Sequence, residues 1–202
     1  MKRLCGFILS FVWIIISIQA KETTLVIYST NDMHGSINNF AKIAKFIENE
    51  RKKYPHTMLL NGGDIFSGNP VVDQYPQRGK PMIELMNAVG YQYATFGNHE
   101  FDFGQQALKQ CMNQADFEWI CANMEVDPST AVIKQPQPYV TLKMGDIKIC
   151  ILGLIETSKT FQGQPITSAH PDYLKGITFT SPVETITKYK KLREECDLFV
   201  GL

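Results

Sequence analysis

Short apolar segments alternate with amphipathic segments along the first part of the chain. Apolar runs rich in β-branched or aromatic residues predict strands at residues 24–30, 57–62, 91–97 and 118–124. Apolar residues at helical spacing predict helices at residues 40–51, 81–88 and 104–115. Gly90 supplies a stop signal after the second helix. This order implies right-handed crossovers, so we predict an α/β fold with a largely parallel sheet between helices.

The pattern changes after residue 136. Two apolar runs, 138–144 and 147–155, flank Gly145 and Asp146, a dipeptide typical of tight turns, and they predict a β-hairpin. Residues 158–178 show no regular period and predict an irregular loop. The second part of the chain is therefore expected to leave the strand–helix alternation of the first.

A last helix and strand are predicted from residue 181 onward. Ser181, Pro182 and Glu184 supply an N-cap, a first-turn proline and the acid of a capping box. They predict a helix that continues to about Glu195, followed by a strand within residues 196–202. Because no turn follows that strand, we expect the sequence to be a fragment with the C-terminal part of its fold missing.

The first twenty residues have the pattern of a targeting segment. Two basic residues precede an apolar run at 4–18, and the small residue Ala20 follows. The alternative is an uncleaved membrane anchor, but the run is shorter than the roughly 20 residues that a span requires. We expect residues 1–20 to be a signal peptide and 21–202 to be an incomplete N-terminal domain. We therefore expect the protein to be exported to the periplasm or the cell exterior, without stable membrane insertion after cleavage.

Composition narrows the function classes. The chain has 202 residues, a net charge of +0 and 44% hydrophobic residues, which is sufficient for one domain and gives no electrostatic case for binding a nucleic-acid polymer. Cys121 and Cys150 lie in predicted strands and are interpreted as small buried hydrophobic residues. The sequence has no Cys-x-x-Cys or Cys/His zinc spacing. The disulfide state of Cys111 and Cys196 stays open.

Polar clusters follow the first three predicted strands. Their candidate residues are Asp32, His34, Asp64, Asn98, His99 and Asp102. Because the carboxyl ends of parallel strands share one edge of a sheet, we expect these side chains to converge. Each cluster alone also fits a turn or a helix cap. Three such clusters at successive strand ends favour a metal site.

The residue types in these clusters suit a divalent transition metal. Carboxylate, imidazole and amide oxygen together match such an ion better than calcium, which prefers oxygen ligands alone. Asp64 can bridge two ions through its two carboxylate oxygens. His99, oriented by Asp102, has the composition of a proton-handling pair. Glu100 is interpreted as a solvated or structural carboxylate.

Three motifs in this order resemble a known family. They are D-x-H at 32–34, G-G-D at 62–64 and G-N-H-E-x-D at 97–102, and they resemble the calcineurin-like metallophosphoesterases. The amino-acid sequence in and around these motifs is similar to that of the branch that contains 5'-nucleotidases and UDP-sugar hydrolases. The resemblance covers roughly residues 24–202. It implies a sheet sandwich flanked by helices that hydrolyses a small phosphate ester, with a nucleotide as the expected substrate.

The resemblance also implies a role for each site residue. Asp32 and His34 bind a first metal ion. Asp64 bridges both ions, and Asn98 binds the second. His99, with its orienting acid, contacts the phosphoryl group and assists the leaving group. The cofactor is therefore expected to be two divalent metal ions, with Mn, Zn, Co, Mg and Fe all left open.

The sequence departs from the family pattern at its end. The family has a further ligand histidine after the next strand and a later G-H-x-H motif, and this sequence ends in 197–202, where the family continues. His56 and His170 do not lie in matching contexts. Two alternatives therefore stay open: a catalytically inactive metal-binding fragment, or the same metal site acting on a cyclic phosphodiester or another ester.

Overall fold

A parallel sheet forms the centre of the first part of the chain in the computed structural model, which describes residues 22–202. Its strands are β1 (Val26–Thr30), β2 (Thr57–Asn61), β3 (Tyr93–Ala94) and β4 (Glu118–Trp119). They lie in the order β1-β2-β3-β4, and every neighbouring pair is parallel. The predicted parallel sheet is confirmed. The predicted signal peptide lies outside the described residues.

Helices connect these strands, as the apolar spacing predicts. They are α1 (Phe40–Lys53), α2 (Pro70–Asp73), α3 (Lys80–Val89) and α4 (Gly104–Gln114). Gly90 ends α3 with a left-handed φ of 81°, a conformation that glycine adopts without steric cost. Only α2 lacks a counterpart among the predicted helices; Asn69 caps it by accepting the Val71 N–H.

A second sheet packs against the first. The remaining strands are β5 (Met124–Val126), β6 (Tyr139–Met144), β7 (Ile147–Leu152), β8 (Ser158–Lys159), β9 (Pro165–Ile166), β10 (Ile177–Phe179) and β11 (Leu198–Gly201). The β6–β7 hairpin is confirmed, and β11 joins it parallel to β7. Met58 and Leu60 of the first sheet pack with Ile149 and Ile151 of the second, which makes a sheet sandwich.

Helices cover both outer faces of the sandwich. Buried residues of α1, α3 and α4 pack on the first sheet. The second sheet is covered by α5 (Pro182–Lys188) and α6 (Lys190–Glu194). There Leu192 and Cys196 pack against Cys150. All four cysteines of the described residues are buried and free, which agrees with the interpretation of Cys121 and Cys150 as small hydrophobic residues.

The fourth predicted strand, 118–124, is wrong in extent. Pairing with β3 ends at Trp119. The Ile120 N–H still donates to Ala94 of β3, but the N–H groups that follow have other partners, since Cys121 donates to Gln137 and Ala122 donates to Gly153. Residues from Met124 then form β5, which pairs antiparallel with β10. The chain thus crosses from one sheet to another within a segment whose apolar pattern predicts a single strand.

The predicted single helix 181–195 is two helices. Its Ser181 makes no side-chain capping bond, so the predicted capping box is also wrong. The break falls at Tyr189, whose ring packs edge-on against Tyr139 with centroids 5.7 Å apart. Four of the seven residues of α5 are β-branched, and such side chains lower helix propensity. A tertiary contact and weak local propensity together explain the interruption.

The predicted irregular loop 158–178 contains some regular structure. Strands β8 and β9 form a small antiparallel hairpin. A 3₁₀ turn at Pro171–Leu174 and the start of β10 follow. These elements are too short to show a period in the sequence. Within residues 22–202, no helix has the length and apolar character needed to span a bilayer.

Candidate metal centre

The turns after β1 and β2 run side by side beyond the sheet. The Asp32 N–H donates to the Gly63 carbonyl at 3.2 Å, and the His34 N–H donates to the Asp64 carbonyl at 3.0 Å. The two turns therefore continue the parallel pairing of their strands. Their polar side chains are held on one edge, as the parallel order of the strands requires.

Three side chains from these turns form a candidate metal site. One ligand atom each of Asp32, His34 and Asp64 lies within 4.8 Å of the others. The His34 Nε2–Asp32 Oδ1 distance is 3.8 Å. Two ligands that each lie about 2.1 Å from one ion are at most about 4.2 Å apart, so a small contraction would bring the set to binding geometry. Two carboxylates and one imidazole are a donor set that fits a divalent transition metal.

The backbone of this centre is strained. Among residues 22–202, the non-glycine residues with left-handed φ are Asp32 (50°), His34 (45°), Asp64 (53°) and Ser67 (59°). Such a conformation costs of order 1 kcal/mol or more per residue and persists only where surrounding contacts enforce it. All four lie in the two turns that form the centre. Strain of this kind is typical of functional sites.

The turn after β3 packs directly on the turn after β2. A Cβ at Gly97 would lie 2.1 Å from Asp64 Oδ1, and one at Gly63 would lie 2.5 Å from the Gly97 nitrogen. The His99 N–H donates to Asp64 Oδ1 at 3.0 Å. Glycine at both positions is therefore a steric requirement of this close approach. Asn98 lies between Gly97 and His99, at the start of the 3₁₀ turn Asn98–Phe101.

Glu100 joins the turn after β2 to the turn after β3 through buried hydrogen bonds. Its side chain is fully buried. It accepts backbone N–H groups of Asp64 at 2.9 Å, Ile65 at 2.7 Å and Gly97 at 2.5 Å. Burial raises the pKa of Glu100 to about 7, although these three donors favour the carboxylate. Of the two interpretations, solvated or structural, the contacts select the structural one.

His99 and Asp102 form a hydrogen-bonded pair next to the three ligands. His99 Nδ1 lies 2.7 Å from Asp102 Oδ2, and the His34 and His99 rings meet edge to face with centroids 4.5 Å apart. Partial burial lowers the pKa of His99, but the hydrogen bond that the ring donates to Asp102 and the charges of Asp102, Asp64 and Glu100 outweigh it, so the net shift is upward.

All six predicted site residues thus lie at one edge of the first sheet. Their assignment as ligands or catalytic groups remains a prediction. Sequence reasoning did not identify Ser67, whose hydroxyl contacts both His99 and Asp102. The left-handed φ of Ser67 has no local sequence signal of its own; Gly68, which follows it, is the nearest indication of a tight turn.

Comparison with known proteins agrees with this architecture. The family model described as calcineurin-like phosphoesterase matches residues 25–200. A trifunctional nucleotide phosphoesterase, YfkN of Bacillus subtilis, is 27% identical over an alignment 202 positions long. The alignment covers 85% of this chain and 13% of that protein. The 5'-nucleotidase of Bos taurus is 27% identical over 169 residues, or 74% of this chain and 29% of the relative.

Solved structures show the same fold. A 5'-nucleotidase precursor from Thermus thermophilus superposes with a TM-score of 0.70 at 23% identity, over 88% of this chain and 36% of that one. The chain therefore spans about a third or less of these relatives. With the family model matching almost the whole described region, this chain belongs to the calcineurin-like phosphoesterase family.

Proposed function

We propose that this chain is the metal-binding domain of an exported, 5'-nucleotidase-like phosphoester hydrolase. The observation that carries the proposal is the cluster of Asp32, His34 and Asp64 within 4.8 Å, with the His99–Asp102 pair beside it. The names of two relatives, a nucleotide phosphoesterase and a 5'-nucleotidase, support a nucleotide as the substrate.

Each residue has a definite task in this proposal. Asp32 and His34 would hold a first divalent ion, Asp64 would bind that ion and a second, and Asn98 would supply a neutral oxygen to the second. Divalent ions held there would offset phosphoryl charge and make a water molecule more acidic. His99 contacts the phosphoryl group through Nε2 and donates a proton to the leaving oxygen.

The geometry of the chain supports this division of labour. Asp64 Oδ1 accepts the His99 N–H, which orients the carboxylate, and both of its oxygens keep lone pairs for a ligand role. The side chains of Asp32 and His34 are 61% and 39% exposed, so a phosphate ester can reach them. The charges of Asp102, Asp64 and Glu100 raise the pKa of His99 and so favour the protonated ring, the form that an acid requires.

Export is the second part of the proposal. Residues 1–20 carry the basic, apolar and small positions of a signal peptide. Cleavage after Ala20 would release a domain that begins at Lys21 and lacks the apolar run at 4–18. Expression with the native N-terminus, followed by N-terminal sequencing of the exported protein, should give a sequence that starts at Lys21. An intact, membrane-associated N-terminus would instead support the anchor.

A metal-dependent hydrolysis assay with matched variants tests the enzymatic part. Phosphate release from adenosine 5'-monophosphate is measured with manganese, cobalt or zinc for the wild type, Asp64→Asn and Asp146→Asn. Asp146 lies in the β6–β7 turn, away from the candidate ligands. We expect Asp64→Asn to reduce the rate at least about 100-fold, since a ligand outweighs the 10–100-fold effects of groups behind ligands. An unchanged rate in Asp64→Asn would refute the assignment.

The second candidate function is metal binding without hydrolysis. Asp32, His34 and Asp64 are the only group of three or more His, Cys, Asp or Glu side chains with metal-site spacing in the described residues. Three protein ligands are sufficient for one ion. Calorimetric titration separates the two candidates, because the hydrolase requires two ions per chain and the binder requires one. Hydrolysis of a cyclic phosphodiester in preference to the monophosphate would keep the metal centre and change the substrate.

A further inference from the structure

Ser67 is the one strained residue of the metal centre without a predicted ligand role. Its φ of 59° is left-handed, like those of the three candidate ligands Asp32, His34 and Asp64. Left-handed backbone favours glycine, asparagine and aspartate, so a serine there is disfavoured unless its side chain makes compensating contacts.

The Ser67 hydroxyl makes such contacts. Its Oγ donates to Asp102 Oδ2 at 2.6 Å and lies 3.0 Å from His99 Nδ1. The same Asp102 oxygen lies 2.7 Å from His99 Nδ1. Three polar atoms from two different turns therefore form a closed triangle on the side of the imidazole that faces Asp102.

This triangle fixes where the hydrogens lie. Asp102 Oδ2 is an acceptor, so both the hydroxyl and Nδ1 must donate to it. If Nδ1 were the unprotonated nitrogen, two acceptors would face each other at 2.7 Å, which is unfavourable. Nδ1 therefore carries a proton in the neutral ring and in the imidazolium alike, and Nε2 is the nitrogen that meets a substrate and, in the imidazolium, carries the proton that His99 donates.

A histidine–aspartate pair alone would not fix this geometry. The side chains of His99 and Asp102 are 34% and 32% exposed. Ion pairs with this access to water contribute only about 0–1 kcal/mol, so Asp102 needs a second restraint to stay in one orientation. The residue after Ser67, Gly68, packs closely on the turn after β1, since a Cβ on it would lie 3.0 Å from the His34 carbonyl oxygen.

We propose that Ser67 is a positioning residue that fixes Asp102 and, through it, the imidazole of His99, so that Nε2 faces the leaving group. The proposal rests on the proposed function, because it assigns His99 the task of protonating that group. It predicts a hydrolase whose proton donor, His99, is held by two side chains: Asp102 from the turn after β3 and Ser67 from the turn after β2.

Nuclear magnetic resonance of the metal-free chain tests the positioning directly. In the wild type we expect neutral His99 in the Nδ1–H form and a nuclear Overhauser contact between the His34 and His99 rings. Ser67→Ala should lose both signals, because the carboxylate is released. Ser67→Gly also removes the hydroxyl but relieves the backbone strain, so it keeps the test available if the alanine variant folds poorly. Ser181→Ala removes a serine with no capping bond and should change neither signal.

Kinetics of the metal-loaded chain test the consequence. We expect both Ser67 variants to lower kcat on a nucleoside monophosphate by about 10- to 100-fold, with KM unchanged, because a misplaced group costs up to about 100-fold. An aryl phosphate with an acidic leaving group needs no proton donor, so its kcat should fall less.

Three results would overturn the proposal: retained signals in Ser67→Ala, restored signals in Ser67→Gly, or equal losses of kcat on both esters. If the wild-type chain hydrolyses neither ester, the proposed function fails instead, and the resonance comparison still decides whether Ser67 positions His99.

Discussion

The two sheets of the sandwich are built from similar apolar strands but end differently. In the first sheet all four strands are parallel, so the turns after β1, β2 and β3 meet at one edge, where the turns after β1 and β2 supply the three side chains of the candidate metal centre. In the second sheet β6 and β7 are antiparallel, and their turn lies at the opposite edge: a Cβ at Gly145 would lie 3.0 Å from His56 Nε2, just before β2.

The difference shows that strand direction, more than residue type, determines where the candidate ligands converge. His56 and Asp146 also provide an imidazole and a carboxylate near a turn. They lie at the amino ends of the first sheet's strands, away from the crossover turns that converge. The candidate ligands are brought together because three successive crossovers return the chain in the same direction.

The largest expected effect on stability lies in the second sheet. Ile151 is fully buried between the sheets. Ile151→Ala should lower the free energy of unfolding by about 2–5 kcal/mol, because it leaves a cavity in the core. Urea unfolding measures this loss. Metal affinity, measured well below the unfolding midpoint, should stay unchanged. A parallel loss of affinity would show that core packing in the second sheet also determines metal binding at the edge of the first.

Gly97→Ala should have a smaller effect on stability and a direct effect on the metal centre. The added Cβ would lie 2.1 Å from Asp64 Oδ1, so the turn after β3 must move away. Overpacking of this kind costs about 1–3 kcal/mol. The matched control is Gly201→Ala in β11, where an added Cβ meets nothing within 4 Å. Calorimetric metal titration should show weaker binding only for the Gly97 variant; equal affinities would contradict the proposed close approach.

Glu100→Gln tests the connection beneath the site. The amide would place an N–H donor against a backbone N–H and leave it unpaired, which costs about 1–3 kcal/mol. The carboxylate accepts from both turns, so the loss should appear in unfolding and in metal affinity together. Thermal unfolding of the metal-free and metal-loaded forms checks this. A variant with unchanged stability and unchanged metal affinity would contradict the role of Glu100 as the connection between the two turns.

The pH dependence of stability provides a second test of Glu100. Its pKa is raised from 4.5 to about 7 in the folded state, first by burial. Between these values the folded chain binds more protons than the unfolded chain, so this group makes the free energy of unfolding fall as pH rises. Glu100→Gln should lack that fall. Urea unfolding from pH 4 to 8 in chelator measures the difference, and parallel curves for both proteins would contradict it.

The smallest effect is expected at the last helix. Ser181 precedes α5 but makes no side-chain capping bond. Ser181→Ala should therefore change the free energy of unfolding by less than about 0.5 kcal/mol, the range of surface substitutions without a structural role. A loss near 1 kcal/mol, the usual value of an N-cap, would restore the predicted capping box.

The sequence predicted those features that depend on period and strand direction. Convergence of Asp32, Asp64 and His99 follows from parallel order alone, and the β6–β7 hairpin follows from its Gly145 turn. The exchange of strand partners after Trp119 was not predictable, because it depends on contacts with residues far along the chain.

The same limit applies within the site. Glu100 bonds to the backbone at Asp64, and Ser67 bonds to Asp102, pairs that are 36 and 35 positions apart. Local pattern identifies residue types suited to metal chemistry, but it does not show which buried contacts hold them. Hydrogen bonds between turns are visible only in the folded chain.

The central claim is that turns from three crossovers place Asp32, His34, Asp64 and Asn98 around shared divalent ions. Anomalous X-ray diffraction from manganese-loaded crystals tests it most directly. We expect one peak at about 2.0–2.4 Å from ligand atoms of Asp32, His34 and Asp64, and a second that contacts Asn98 and shares Asp64. Ions bound only elsewhere, with the Asp64 carboxylate contacting none, would contradict it.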